Sequence, residues 1–307
     1  MNDTVTEIVS SAIYGAPPPA LAAPPAGAVQ LSPLAPGARA LESISDGSLA
    51  SLVMLAPPGT AERRYAVAQA LRALKVGGRL TIMALKDKGG SRLRKELEAF
   101  GCVVAETSKR HHRICVVARP ATPSGVDEAI GAGAPRLLED LGLWTQPGVF
   151  SWDRIDPGTA LLMASLPALS GRGADFGCGV GVLAQAVLAS PAVERLDMID
   201  LDSRAVDAAR RNVSDPRADI QWADVRGAAL SDLKFVVMNP PFHDGGAEDK
   251  ALGQAFIRAA HGALGKGGTL WMVANRHLPY EAVLTELFKS VAQRADKGGF
   301  KVFEARR

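Results

Sequence analysis

The chain has 307 residues, 47% hydrophobic and 22% charged, enough apolar material for about two packed domains. Its three cysteines, Cys102, Cys115 and Cys178, form no CxxC pair and no cluster with the five histidines, which argues against a metal site or a disulfide framework and for a reducing cytoplasm. The net charge of +3 does not by itself announce a polyanionic partner, no apolar run is long enough for a bilayer, and the start MNDTVTEIVSSAIYG does not read as a signal peptide.

Residues 16–37 (APPPALAAPPAGAVQLSPLAPG) hold too many prolines for a continuous helix or central strand. The segment is read as either a flexible arm or an irregular stretch pinned to the first domain. Within 86–119, nine basic residues face four acids. A solvated helix face is the ordinary reading of such a run; a surface for nucleic-acid phosphates is the functional one.

Two stretches repeat one another without a gap. ALRALKVGGRLTIMALKDKGGSRLRKELEAFG starts at Ala70, and AHGALGKGGTLWMVANRHLPYEAVLTELFKSV starts at Ala260. Each reads as helix, Gly-Gly turn, apolar strand, loop and helix. Upstream, SLVMLAPP answers FVVMNPPF, and each copy ends in a short strand, RICVVAR or FKVFEAR. The pattern predicts a duplicated α/β domain whose first copy lacks the glycine cluster and the Asn and Phe beside its prolines. The expected organisation is a Pro/Ala-rich segment over 1–37, a degenerate domain over 38–120, a linker over 121–146 containing a helix-like PRLLEDLGLW, and a ligand-binding domain over 147–307.

In the second copy, GADFGCGVGVLA spans 173–184. Gly177, Gly179 and Gly181 allow a tight turn and close approach of a ligand to the backbone. The spacing is not the dinucleotide fingerprint, because Val182 stands where its third glycine belongs, and no Gly-Lys-Ser/Thr follows for a phosphate loop. Asp175 beside the turn would repel a pyrophosphate but suits a cation, such as the ammonium and sulfonium of S-adenosylmethionine. RLDMID ends at Asp200, 21 residues after Gly179, placed to accept ribose hydroxyls, with Asp202 as the near alternative and Ser203 as the expected cap of the next helix. DIQWADV ends near Asp224, a candidate acceptor for the adenine amino group. Each acid alone could be a cap or a surface carboxylate. Three at successive strand ends predict a cofactor site.

The apolar strand FVVM then stops at Asn239-Pro240-Pro241-Phe242. An exocyclic amine on a base is a poor nucleophile, because its lone pair is delocalised into the ring. The Asn239 side-chain oxygen and the Pro240 carbonyl can accept its two hydrogens and aim the lone pair outward, while Phe242 can stack on the base. Positioning then supplies the rate, without metal or strong base. An ordinary strand-ending turn with Phe242 in the core is the structural alternative.

With these residues in hand, the chain resembles the ribosomal RNA small subunit methyltransferase C family and its large-subunit relatives. The likeness rests on PGVFSWDRIDPGTALL (147–162), DFGCGVG, NPPFHDGG and KRHHRI. It implies two tandem Rossmann-like class I methyltransferase domains, the first degenerate and without cofactor. It also implies S-adenosylmethionine as cofactor and a guanine N2 amine in ribosomal RNA or the small ribosomal subunit as target. A monomer is expected, though the sequence does not give the oligomeric state. Phe150 and the run Asp156-Pro157-Gly158-Thr159 would close over the cofactor. The Pro/Ala-rich segment departs from the family pattern. Because NPPF also occurs in adenine-N6 enzymes, the target base rests on the resemblance alone. An adenine-N6 or protein glutamine methyltransferase, or a non-catalytic RNA-binding assembly factor, remain the alternatives.

Overall fold

The computed structural model describes residues 10–241, 243–244, 247–248 and 250–307. It divides into two compact units, Met1–Ala134 and Pro135–Arg307. This boundary differs from the sequence-based division in three places. The Pro/Ala-rich segment belongs to the first unit's sheet, a helix beyond residue 120 closes that unit, and the second unit starts before residue 147.

The first unit contains β1 (Ser11–Tyr14), β2 (Val29–Gln30), β3 (Leu49–Leu55), α1 (Thr60–Ala73), β4 (Leu74–Leu85), α2 (Ser91–Ala99), β5 (Ala105–Lys109), β6 (His112–Ala118) and α3 (Val126–Gly133). Its sheet runs β2-β1-β3-β4-β6-β5, parallel from β2 to β4 and antiparallel at β6 and β5. The Pro/Ala-rich segment is pinned. Leu21 and Ala22 pack against Val53, Met83 and Ile114, and Gln30 donates to the Gly15 carbonyl at 2.9 Å. α3 lies so close to α1 that a Cβ on Gly133 would stand 2.3 Å from that of Tyr65.

The second unit contains β7 (Arg136–Leu138), β8 (Leu143–Thr145), α4 (Pro157–Ser165), β9 (Gly171–Phe176), α5 (Val182–Leu188), β10 (Val193–Asp200), α6 (Ser203–Asn212), β11 (Ala218–Trp222), β12 (Leu233–Met238), β13 (His243–Asp244), β14 (Ala247–Glu248), α7 (Lys250–Ala263), β15 (Leu264–Asn275), α8 (Glu281–Leu287), β16 (Ser290–Lys297) and β17 (Phe300–Arg306). The main sheet runs β11-β10-β9-β12-β15-β17-β16, with β17 antiparallel to both neighbours. β12 is central because both its faces are apolar: Val236 and Met238 enter one core, Phe235 and Val237 the other. From β9 the chain winds outward to β10 and β11, then returns to β12 on the opposite side. β9 and β12 therefore flank a switch point, where open α/β sheets leave a crevice at the carboxyl ends of their strands.

The duplication is visible atom by atom. Gly77 and Gly267 adopt φ +74° and +78°. The Gly77 amide donates to the Arg119 carbonyl at 2.9 Å, and the Gly267 amide to that of Arg307 at 3.1 Å. A Cβ on Gly78 or Gly268 would come within 2.7 Å of a backbone carbonyl oxygen, Lys75 in one case and Leu233 in the other. With β1, β3, β4, β5 and β6 matched to β9, β12, β15, β16 and β17, the two sheets share one strand order. Among the described residues the first has no counterpart of β11.

Two local expectations are corrected. The helix-like segment is the hairpin β7–β8, turning through Gly142 at φ +62°. Its leucine spacing mimics a helix, but the Asn212 side chain accepts from the Trp144 amide at 2.7 Å and donates to its carbonyl at 2.9 Å, and this tertiary pairing overrides local preference. The cap of α6 is Asp202, whose carboxylate accepts from the Arg204 amide, and Ser203 is already helical.

Candidate active site

The turn after β9 has the backbone its glycines allow: φ is +77° at Gly177, +54° at Gly179 and +91° at Gly181. Gly177 and Cys178 donate to the Ile199 carbonyl at 2.9 and 3.1 Å, and Asn212 donates to the Val180 carbonyl at 2.9 Å. The loop is thus fastened from below and from the side, with its upper surface left as one wall of a cleft. Phe150, Arg154, Asp156, Thr159 and Asn239 line the same cleft. Gly177, Gly179 and Asn239, distant in sequence, meet in this one cleft.

Asp175 lies beneath the turn, 1% exposed, and neither carboxylate oxygen has a hydrogen-bond partner. Burial, with a smaller contribution from the Asp200 charge, pushes its carboxyl up to about 8. A buried carboxylate left this way costs free energy until a cation or a proton offsets it. Asp200, at the end of β10, accepts from the Gly179 amide at 2.8 Å and from the Asp202 amide at 2.9 Å. Burial raises it to about 6 against the downward pull of these two backbone bonds. Asp202 is committed elsewhere, to its cap and to the Arg204 guanidinium at 2.7 Å.

Asp224 stands two residues beyond β11 and is not part of the cleft wall. It caps a short 3-10 turn, and its carboxylate holds the Arg226 guanidinium with two bonds, at 2.9 and 2.6 Å. That bonding lowers its carboxyl below the ordinary value. For Asp224 to accept an adenine amine, the exposed Arg226 side chain would have to give up part of this hold.

Asn239 follows the last residue of β12 and precedes the buried Pro240. Its amide nitrogen donates to Asp156 Oδ2 at 3.0 Å and to Thr159 Oγ1 at 2.9 Å. The expected stacking residue Phe242 lies outside the described residues. Sequence reasoning placed Asp156 and Thr159 near the cofactor but missed their bond to Asn239. Asp156 announces itself as a helix cap followed by proline, yet nothing local says what lies across from it.

An S-adenosylmethionine-shaped ligand fits these features: glycines that open a backbone surface, and a buried, unpartnered carboxylate beneath it. Residues 140–304 match the methyltransferase small domain family. The chain is 33% identical to the ribosomal RNA small subunit methyltransferase C of Pseudomonas aeruginosa (strain LESB58), covering 85% of this chain and 80% of the relative. It is 31% identical to that of Shewanella amazonensis, covering 82% and 76%. Among solved structures, it superposes with a TM-score of 0.70 on the T. thermophilus 16S rRNA N2-guanine methyltransferase RsmC in complex with AdoMet and guanosine, at 26% identity over 87% of this chain and 76% of that one. No helix among the described residues is long and apolar enough to cross a membrane, and no group of three or more metal-ligating side chains is found among them. The chain belongs to the ribosomal RNA small subunit methyltransferase C family.

Proposed function

We propose that the chain transfers a methyl group from S-adenosylmethionine to the exocyclic N2 amine of a guanine in small-subunit ribosomal RNA. The observation that carries this reading is the meeting of Asn239 with the glycine turn in one cleft at the switch point. When bound, the cofactor supplies a methyl carbon on a sulfonium, and that C–S bond breaks as the amine nitrogen forms its C–N bond. The protein's part is placement. Gly177 and Gly179 offer a close backbone seat, Asp175 supplies negative charge beneath it, and Asp200 accepts from the ribose. Asn239 Oδ1 and the Pro240 carbonyl accept the two amine hydrogens, and the alkylated nitrogen releases one proton to water. Phe242 stacks on the base.

Guanine as the target is supported by the names of the relatives and by the guanosine bound to the T. thermophilus protein. RNA as the partner is further supported by the surface of the first unit. Three of the four acids in 86–119 are engaged: Glu96 by Arg63, Glu98 by Arg94, and Glu106 by Arg113. The exposed Lys86, Arg92, Lys95 and Arg110 are not neutralised by them and are free to meet phosphates. The experiment is methyl transfer from labelled cofactor to deproteinised 16S RNA, assembled small subunits and DNA, followed by nucleoside mass mapping. N2-methylguanosine in the RNA is the expected product. N6-methyladenosine, or label in protein alone, overturns the assignment.

A further inference from the structure

An asparagine amide can face either way in a site, since its two ends have nearly the same shape. For the methyl-acceptor reading the direction is decisive. Oδ1 toward the target accepts an N–H, whereas a flipped Nδ2 meets an amine donor to donor and instead attracts a carbonyl. The Asn239 orientation therefore chooses between a guanine's N2 amine and its O6.

We infer that Asp156 and Thr159 are positioning residues that lock the Asn239 amide with its oxygen toward the target, making the site selective for a nitrogen bearing N–H. The inference rests on the reading of Asn239 given above. An ionised carboxylate only accepts. Asp156 Oδ2 takes the Thr159 amide at 2.8 Å, and Thr159 Oγ1 lies 3.3 Å from the same oxygen. The Thr159 hydroxyl hydrogen therefore points at Asp156, which leaves an oxygen lone pair facing Asn239. Both atoms before the Asn239 amide, at 3.0 and 2.9 Å, then accept, and the carboxylate, which cannot donate, admits only its NH2 end. Flipping would press Oδ1 against Asp156 Oδ2 and would draw the Thr159 hydroxyl hydrogen away from that carboxylate. Donation to a carboxylate also polarises the amide and strengthens Oδ1 as an acceptor.

The lock is built on rigid parts. Asp156 caps α4 and Pro157 occupies its first turn. Between them and Thr159, a Cβ on Gly158 would lie 2.8 Å from the Phe300 ring and 3.0 Å from Asp156 Oδ2, so this turn is packed tightly against β17. Asn239 itself is fixed by β12 before it and Pro240 after it.

The test uses the full chain in single-turnover methyl transfer at saturating RNA and cofactor, with both dissociation constants measured and a thermal melt confirming the fold. Thr159→Val removes the hydroxyl at nearly constant shape, Thr159→Ser returns it, and Asp156→Ala removes the one oxygen, Oδ2, that accepts from both the Thr159 amide and Asn239. Thr159→Val should slow transfer on the order of tenfold at unchanged cofactor and RNA affinity, as for a missing positioning bond felt chiefly in the transition state. Thr159→Ser should recover most of that rate, and Asp156→Ala should also be slow, with a lower melting temperature from the lost cap. In an Asn239→Ala background Thr159→Val should add nothing, because the amide it orients is gone. Equal losses in both backgrounds, or no loss from Thr159→Val while Asn239→Ala alone is slow, overturn the lock and leave the acceptor role of Asn239 intact. A fast Asn239→Ala overturns the acceptor role itself.

Discussion

The Gly179 amide lies 2.8 Å from Asp200 Oδ2 and binds the cofactor turn after β9 to the end of β10. One carboxylate thereby holds the glycine turn, and it is the proposed ribose acceptor, while Asp202, two residues on, is spent on capping α6 and holding Arg204. Asp200→Ala should weaken S-adenosylmethionine binding by roughly tenfold to a hundredfold, the worth of one charge-assisted bond. Asp202→Ala should instead lower stability by about 1 kcal/mol, as expected for removal of a cap. Calorimetric titration and denaturant melts of both variants check the division of roles, and the reverse pattern would assign the ribose to Asp202.

Asp175 makes stability and binding pH-dependent in a definite sense. Its folded-state value, about 8, lies above the ordinary 3.8, so its contribution is fully present below about pH 3.8 and is lost as the pH rises through about 8. The ligand-free protein should therefore lose stability across that window, and Asp175→Asn should make the decline shallower. A bound cation favours the ionised form, so cofactor binding at pH 7 should release up to about one proton from this group. Calorimetry in two buffers of different ionisation enthalpy reads that release. Buffer-independent heats would mean that Asp175 does not sense the cofactor.

The full chain should bind one cofactor molecule, not two. In the first unit, β1 leads into the pinned proline-rich segment rather than a glycine turn. The Arg63 guanidinium there donates to the Pro57 and Pro58 carbonyls at 3.2 and 2.7 Å and to Glu96. The carbonyls after β3, matched in the repeat to those after β12, are thus already occupied. A stoichiometry of two in equilibrium dialysis would contradict the degenerate reading of the first unit.

Charge reversal at Lys86, Arg92, Lys95 and Arg110 should weaken RNA binding and flatten its dependence on salt, by about one slope unit for each phosphate that is no longer neutralised. Cofactor affinity should stay unchanged. An unaltered salt slope would show that this edge is only a solvated face.

What was legible in the sequence is what is local. The glycine turn declares itself because φ > 0 at Gly177, Gly179 and Gly181 needs glycine, and Asp200 because it terminates a short apolar strand. The duplicated Gly-Gly turns are equally local. What escaped depends on bonds between distant residues. The 83-residue separation of Asp156 and Asn239 hides their bond. The β7–β8 hairpin is set by Asn212, a partner 68 residues from Trp144. The four residues of β1 are too few to show a strand period, so nothing marked the proline-rich stretch as the edge of a sheet. At Asp224 both partners were visible in sequence, but the return of Arg226 onto the carboxylate is a side-chain choice that spacing does not encode.

The central claim is that Asn239 orients the target amine, and the direct measurement is single-turnover methyl transfer by Asn239→Ala at saturating RNA and cofactor. Cofactor affinity should barely change, since the glycine turn and Asp200 are untouched, and RNA affinity should hold because the phosphates carry most of it. The rate should fall by on the order of a hundredfold or more, the typical effect of removing a positioned transition-state hydrogen bond. A variant that keeps more than about a third of the wild-type rate has lost less than about 1 kcal/mol of transition-state stabilisation, and Asn239 would then be only the residue that ends β12.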